Sequence, residues 1–306
     1  MIEAPSKEAI QRAADAIKHG HLVGMPTETV YGIAADALDP KAVQATFDLK
    51  GRPGDNPLIV HLASFEDVSF VASSVPEEVH LLSDCFWPGP LTLVLPKKPT
   101  VPDVVTAGLP TVAVRVPQHP VALALLKAAA RPLSAPSANK FMGLSPTTAE
   151  DIDPEIAAGL ALILEGGPCE VGIESTVLDL SGPSPVLLRP GAISREELES
   201  VLGVDIATGN ERKAPGMYPR HYSPRTRVRL AESLTPAEAG LVFSDPFPGP
   251  QIQMSPDPRQ YAASLYASLA ELDRMGLQEI VIQRPPQTEE WEAVNDRLSK
   301  ATANRD

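Results

Sequence analysis

Between residues 7 and 202 short apolar runs alternate with segments of helical spacing, and that alternation restricts the chain to an α/β architecture. Ile10, Ala13, Ala14 and Ile17 recur at helical spacing over 7–19, with Gly20 behind them as a C-terminal cap, so the chain opens on a helix. A short strand over 21–25 follows. Asp39-Pro40 supplies an N-cap and a first-turn proline for a second helix that ends near Gly51. Further apolar or alternating runs predict strands at 57–62, 91–95, 111–116, 132–137, 159–164, 174–180 and 185–189. Helices are expected between them near 76–86, 120–130, 147–153 and 194–202.

The composition changes after about residue 205. The stretch from Gly209 to Arg229 holds Arg212, Lys213, Arg220, Arg225, Arg227 and Arg229 against one acid, Glu211. Pro215, Pro219 and Pro224 stiffen this basic linker into an extended path able to lie across a surface. Beyond it, a strand at 239–243, a helix at about 259–275, a strand at 278–283 and a helix at about 289–302 form a second α/β unit. At roughly 75 residues that unit is near the low end for independent stability and is expected to lean on the first. The division expected is therefore 1–205, a linker over 206–229, and 230–306.

With 39 acidic against 26 basic side chains, the formal charge is −13. Such an excess argues against a surface that coats nucleic acid, because phosphate affinity comes from clustered Lys and Arg. No apolar run approaches the ~18–20 residues of a membrane span, and Met1-Ile2-Glu3-Ala4-Pro5 lacks the order of a signal peptide, so a cytoplasmic protein is expected. Cys85 and Cys169 form no CxxC pair and supply no zinc site. Proline, 33 of 306 residues, is about twice its usual ~5 % and is spread along the chain, which makes many turns rigid.

Familiar catalytic signatures are missing: GxxxxGK[ST], GxGxxG after a strand, HExxH and GxSxG do not occur. His19 and His21 flank Gly20 at a helix end and read as solvated side chains, and no metal ligands are expected from the protein. What remains is a set of polar residues at places where a core domain should be apolar. Pro26-Thr-Glu-Thr-Val-Tyr-Gly32 reads as a strand-to-helix turn of the kind that binds ligands in open α/β sheets; Thr27 and Thr29 either bind a polar ligand or cap the turn. Lys50 at a helix end is an ordinary dipole partner or a ligand cation. Arg52, between Gly51 and Pro53, lies beyond the helix and offers a guanidinium fork to phosphate or carboxylate. His61 ends the next strand, as a cap or facing a ligand.

Alternation places Thr111, Ala113 and Arg115 on one face of a strand, and an arginine there needs an anion, either an internal carboxylate or a ligand's. The same period puts Ala135 and Ser137 together ahead of Asn139, while Ser145-Pro146-Thr147 reads as a helix N-terminus or an ordinary N-cap. Ser175, Thr176 and a second strand-end arginine, Arg189, complete the set. Cations gathered beside small hydroxyls in an acidic protein suit a small anionic, phosphate-bearing substrate.

The order Pro26-Thr-Glu-Thr-Val-Tyr-Gly32, Lys50-Gly-Arg-Pro53, Asn56-Pro-Leu58, Trp87-Pro-Gly-Pro-Leu-Thr92, Val114-Arg-Val-Pro117, Ser134-Ala-Pro-Ser-Ala-Asn139, Glu174-Ser-Thr-Val177 and Leu188-Arg-Pro-Gly191 resembles the YrdC-like family, the L-threonylcarbamoyladenylate synthases. The resemblance spans about 5–205, and Pro215 to Pro224 resembles the linker of the longer, two-domain form. It implies an open twisted α/β fold with a large concave cavity, followed by a small Rossmann-like domain. It also implies ATP-dependent joining of L-threonine and bicarbonate (or CO2) into threonylcarbamoyl-AMP with release of pyrophosphate. On the same resemblance that product would pass to a separate tRNA threonylcarbamoyl transferase, and direct tRNA binding by this chain is not expected. Matched motif by motif, the resemblance assigns Thr29, His61, Arg115, Ala135 and Ser175 to L-threonine. Arg52, Asn56, Thr111, Ser137, Asn139, Ser145 and Arg189 fall to ATP, with Lys50 beside Arg52 near the phosphates as the catalytic cations. His221 or Tyr222 would close over the nucleotide, and Mg2+ would be carried chiefly by the phosphates. Two departures stand out: the family's lysine between Met and Tyr is absent, since Met217 is followed directly by Tyr218, and the C-terminal domain is shortened. Two rivals are a double-stranded-RNA-binding module of the same fold, opposed by the charge of −13, and a carbamoyl-transferring hydrogenase-maturation enzyme, whose cysteine-rich segments have no counterpart here.

Overall fold

The computed structural model describes residues 1–209, 215, 218 and 220–303. The first half of the order is β1 (Ile2–Glu3), α1 (Lys7–Lys18), β2 (Val23–Met25), β3 (Gly32–Asp36), α2 (Pro40–Lys50), β4 (Ile59–His61), α3 (Val68–Val71), α4 (Glu77–Phe86), β5 (Leu91–Pro96) and α5 (Asp103–Thr106). Then come β6 (Thr111–Arg115), α6 (Pro120–Ala129), β7 (Leu133–Ser134), α7 (Pro154–Ala158), β8 (Leu162–Leu164), β9 (Thr176–Asp179), β10 (Val186–Arg189), α8 (Arg195–Leu202) and β11 (Ala207–Thr208). These strands form one mixed sheet in the order β1-β8-β2-β3-β7-β4-β6-β5-β9-β10-β11.

Local chemistry explains where the elements start and stop. Helix α1 begins on the Ser6 hydroxyl, which accepts the Ala9 N–H, and buries Ala9, Ala13, Ala14 and Ile17 against α6 and β2. Helix α2 starts on the Asp39 carboxylate and stops where Gly51 turns left-handed, at φ 62°. A second core, built on Val43, Phe47, Val60, Leu93, Val112 and Leu178, fills the opposite side of the sheet.

Three segments differ from the sequence reading. Pro26–Gly32 joins β2 to an antiparallel β3 rather than to a helix; Gly32–Asp36 is five residues buried on both faces and carries no alternation to betray a strand. The helix expected at 147–153 is absent, and α7 begins instead at Pro154, where the Asp153 carboxylate accepts the Glu155 N–H. The strand read at 132–137 shrinks to Leu133–Ser134, and Ser137 makes only an isolated bridge to Gly32.

The remaining elements are β12 (Arg227–Ala231), β13 (Gly240–Val242), β14 (Gln251–Gln253), α9 (Pro258–Arg274), β15 (Glu279–Gln283) and α10 (Glu292–Thr302). They make an all-parallel four-stranded sheet, order β12-β15-β13-β14. The span read as linker is therefore interrupted at both ends: β11 pairs with β10 in the first sheet, and β12 opens the second. Arg212, Lys213 and Pro219 lie outside the described residues. The second unit does lean on the first, since Val30 and Ile173 enter the core made by Tyr222, Leu265, Tyr266 and Leu298. No helix among the described residues is long and apolar enough to cross a membrane.

Candidate functional site

One cavity of about 570 Å3, its open mouth included, gathers residues from seven parts of the chain. Its floor is set by register. His61 and Arg115 are direct neighbours on the parallel pair β4–β6, and Leu133 of β7 flanks His61 on the other side. Arg115 is 3 % exposed; its Nε donates to the Gly89 carbonyl at 3.1 Å and its Nη1 to Thr29 Oγ1 at 3.0 Å. Burial, with the Arg115 charge added to it, pulls His61 down to about 3, so the imidazole is neutral at pH 7. Its Nδ1 is buried without a hydrogen-bond partner among the described residues.

The β2–β3 turn is the second wall. Thr27 Oγ1 donates to the Val30 carbonyl at 2.6 Å and lies 2.9 Å from Thr29 Oγ1, an arrangement that fixes the turn and aims Thr29 at Arg115. Glu28, between them, places Oε1 2.5 Å from Arg115 Nη2, with both side chains 3 % exposed. Glu28 thus supplies the arginine with an internal counter-ion at Nη2. Spacing alone does not show that Glu28 is that counter-ion, because it lies 87 residues from Arg115 in the chain.

Arg52 follows the left-handed Gly51, and its guanidinium is held by the carbonyls of Asn56 at 3.2 Å and Pro57 at 2.9 Å. Burial lowers it to about 10, which leaves it cationic at pH 7. Lys50 is 2 % exposed, and its Nζ donates to the backbone carbonyls of Ser137 and Asn139, the second at 2.5 Å. Burial first, then Arg52 and Lys140, push its ammonium well below the usual lysine range.

The third wall centres on Ser175. Arg189 donates Nε to the Ser175 carbonyl at 3.0 Å and Nη2 to its hydroxyl at 3.1 Å, and the Thr92 hydroxyl lies 2.7 Å from that same Oγ. Glu174, one residue back, accepts from Ser145 Oγ at 2.6 Å, Tyr266 Oη at 3.0 Å and Arg297 Nε at 2.9 Å. Burial raises the Glu174 carboxyl, but Arg297, Arg189 and the Ser145 hydrogen bond outweigh it and hold the group at about 2. From the linker, Pro215 gives its carbonyl to Arg189 Nη1 at 2.9 Å, and His221 and Tyr222 close one side of the cavity. Burial brings His221 down to about 3.

Of the residues singled out in the sequence, Thr29, Arg52, His61, Arg115, Ala135, Ser137, Ser175, Arg189, His221 and Tyr222 line this cavity. Lys50, Asn56, Thr111, Asn139 and Ser145 do not. Lys50 supports the 137–139 segment from behind, and the Asn139 amide is turned to the carbonyls of Lys140 and Gly143. Thr111 sits opposite Pro96 at the far end of β6, and Ser145 begins no helix but bonds Glu174. Glu174, Tyr266 and Arg297 were not assigned from sequence; the last two lie 92 and 123 residues from the carboxylate they touch, beyond any local pattern. No cluster of three or more His, Cys, Asp or Glu suited to a metal ion occurs among the described residues. Glu174, which lines the cavity, and Glu28, which lies between the lining residues Thr27 and Thr29, are each paired with an arginine.

Chemically, the cavity presents three fixed guanidinium groups and several hydroxyls, with both of its imidazoles neutral at pH 7. Such a site binds anions and aligns reacting groups; among the described residues it holds no activated nucleophile with a base beside it.

Comparison with known proteins agrees in both domains. A family model described as telomere recombination matches residues 15–191, and one described as the threonylcarbamoyl-AMP synthase C-terminal domain matches 193–303. The threonylcarbamoyl-AMP synthase of Pyrococcus abyssi (strain GE5 / Orsay) is 41 % identical, covering 97 % of this chain and 94 % of its own. That of Bacillus subtilis (strain 168) is 38 % identical, covering 97 % and 93 %. The crystal structure of P. abyssi Sua5 complexed with L-threonine matches with a TM-score of 0.90 at 39 % identity, over 99 % of this chain and 97 % of that one. E. coli YciO, at 22 % identity and a TM-score of 0.54 over 63 % of this chain and 95 % of that one, shares the fold of the first domain. With both family models matched along one chain and full-length relatives at this identity, the chain belongs to the threonylcarbamoyl-AMP synthase family, in its two-domain form.

Proposed function

We propose that this chain joins L-threonine, bicarbonate (or CO2) and ATP into threonylcarbamoyl-AMP, as a nucleotidyltransferase that releases pyrophosphate and, when bicarbonate is the carbon source, water. The observation that carries the reading is the convergence of Arg52, Arg115 and Arg189 on one cavity beside the Thr29 and Ser175 hydroxyls. Threonine's amine and bicarbonate give a carbamate; a carbamate oxygen then attacks the α-phosphorus of ATP while the bond to the β-phosphate oxygen breaks. Both partners are anions, so the protein's main task is to hold like charges together and in line. Arg115, locked by Gly89, Thr29 and Glu28, is the partner for the threonine carboxylate. Neutral His61 offers Nδ1 for a hydrogen bond without taking part in proton transfer at pH 7. Arg52 and Arg189 face the phosphates, the second exchanging the Pro215 carbonyl for an anionic oxygen. Because the nearby carboxylates are engaged by arginines, Mg2+ fits this site as a companion of the triphosphate, where it would neutralise the phosphate charge. The product would pass to a separate tRNA-modifying transferase.

The test is pyrophosphate release from ATP with Mg2+ and bicarbonate, with and without L-threonine, and with L-serine in its place. Release that depends on threonine supports the reading. Folded protein that releases none overturns it.

A further inference from the structure

Glu174 is out of character in a cavity built for anions. Its side chain reaches the wall beside Ser175 and Arg189, the residue is 8 % exposed, and Ser175, next along the chain, lines the same cavity. An unpaired carboxylate there would repel a triphosphate and draw on the charge of Arg189. The cation that meets it comes from the other domain. Arg297 of α10, with a side chain wholly buried, donates Nε to Glu174 Oε2 at 2.9 Å and Nη2 to the carbonyls of Glu174 at 3.3 Å and Pro190 at 3.1 Å. Its guanidinium lies 5.0 Å from the centre of the Tyr222 ring, and Tyr266 of α9 adds its hydroxyl to the same carboxylate oxygen. Asp296 takes Nη1 at 2.5 Å and is itself paired with Lys300 at 2.8 Å, so two acids and two bases cancel within the cluster.

We propose that Arg297 is a positioning residue of the nucleotide site: from the C-terminal domain it neutralises Glu174, so that Arg52 and Arg189 keep their full positive potential for the triphosphate. The inference rests on the threonylcarbamoyl-AMP synthase reading for the identity of the nucleotide. It distinguishes itself from a mere domain-docking role by one consequence. If charge is what matters, removing the carboxylate should compensate for removing the arginine, although the interdomain ion pair stays broken.

The experiment is titration of ATP with Mg2+ into the full-length protein by calorimetry, with thermal melts on every variant. Arg297→Met should weaken ATP binding about tenfold or more, the order that Coulomb's law gives for one uncompensated unit charge acting on an anion within the same cavity at an effective dielectric of about 20. Glu174→Gln combined with Arg297→Met should return the affinity to within about threefold of the parent, and Arg297→Lys, which keeps the charge, should do likewise. If Arg297→Met does not fold, the double variant and Arg297→Lys carry the test on their own. Unchanged affinity in folded Arg297→Met, or a tenfold loss that persists in the double variant, overturns the proposal. A parent protein that binds no ATP overturns it together with the nucleotide assignment. ATP binding without threonine-dependent pyrophosphate release would sink the reaction but leave the role of Arg297 standing.

Discussion

Replacing Arg115 by methionine is expected to abolish threonine-dependent pyrophosphate release and to destabilise the fold, and the two effects can be separated. Both members of the Arg115–Glu28 pair are 3 % exposed, and apart from that pair the Glu28 oxygens have no hydrogen-bond partner among the described residues. The substitution therefore leaves a carboxylate in the protein interior with nothing to meet it. Breaking one side of a buried ion pair costs about 3–5 kcal/mol. At about 2–4 °C per kcal/mol for a domain of this size, the melting temperature should fall by roughly 10 °C. Adding Glu28→Gln removes the stranded charge, and the double variant should recover most of the loss, to within about 1–2 kcal/mol of the parent. Urea denaturation gives the stabilities, and pyrophosphate release at saturating ATP gives the activity, which stays absent in both variants. An Arg115→Met protein within about 1 kcal/mol of the parent, or a double variant no more stable than the single one, would refute the reasoning.

Acid should weaken the protein before its carboxylates titrate. His61 and His221 sit near 3 against an ordinary 6.5, so below pH 6.5 the unfolded chain takes up protons that the folded chain refuses until about pH 3. Stability is full above that window and falls as pH drops through it, by about 2 kcal/mol per histidine between pH 7 and pH 5. Glu174, held at about 2 against an ordinary 4.5, adds its own loss only below about 4.5. Urea midpoints at pH 7 and 5 should diverge in the parent and less so in His221→Gln; equal divergence would contradict the assignment. Gly172→Ala would set a Cβ 2.4 Å from the Ala263 carbonyl oxygen of α9, on a backbone with φ 72°, and should cost about 1–3 kcal/mol in a thermal melt. Cys85 is exposed, whereas Cys169 is buried with its thiol pushed up to about 12, chiefly by burial; a thiol-reactive dye should label the first at once and the second only after unfolding.

The parts of the fold legible in the sequence are those whose signals are local. Ser6, Asp39, Gly51 and the apolar spacing of α1 mark helix ends because caps and periodicity act within a turn. β3 was hidden because Gly32-Ile-Ala-Ala-Asp36, buried on both faces, has neither alternation nor bulk. The start of α7 was legible and misplaced: Asp153-Pro154 is the same cap signal that locates α2. At the site, ordered motifs pointed to Arg52, Arg115, Ser175 and Arg189, which tertiary structure brings to one cavity. Lys50 could not be placed from sequence, because its partners are the carbonyls of a loop 87 and 89 residues away. Arg297 reads as one more charge on a terminal helix, and only the docking of α10 against Glu174 makes it a buried cation.

The most direct test of the central claim uses bicarbonate labelled with carbon-13. Purified protein, ATP, Mg2+, L-threonine and the labelled bicarbonate are mixed, and the adenylate fraction is analysed by mass spectrometry. The account predicts a threonylcarbamoyl-AMP species heavier by the label, formed in step with pyrophosphate and absent when threonine is omitted. An unlabelled adenylate, or pyrophosphate released with no carbamoylated product, would contradict it.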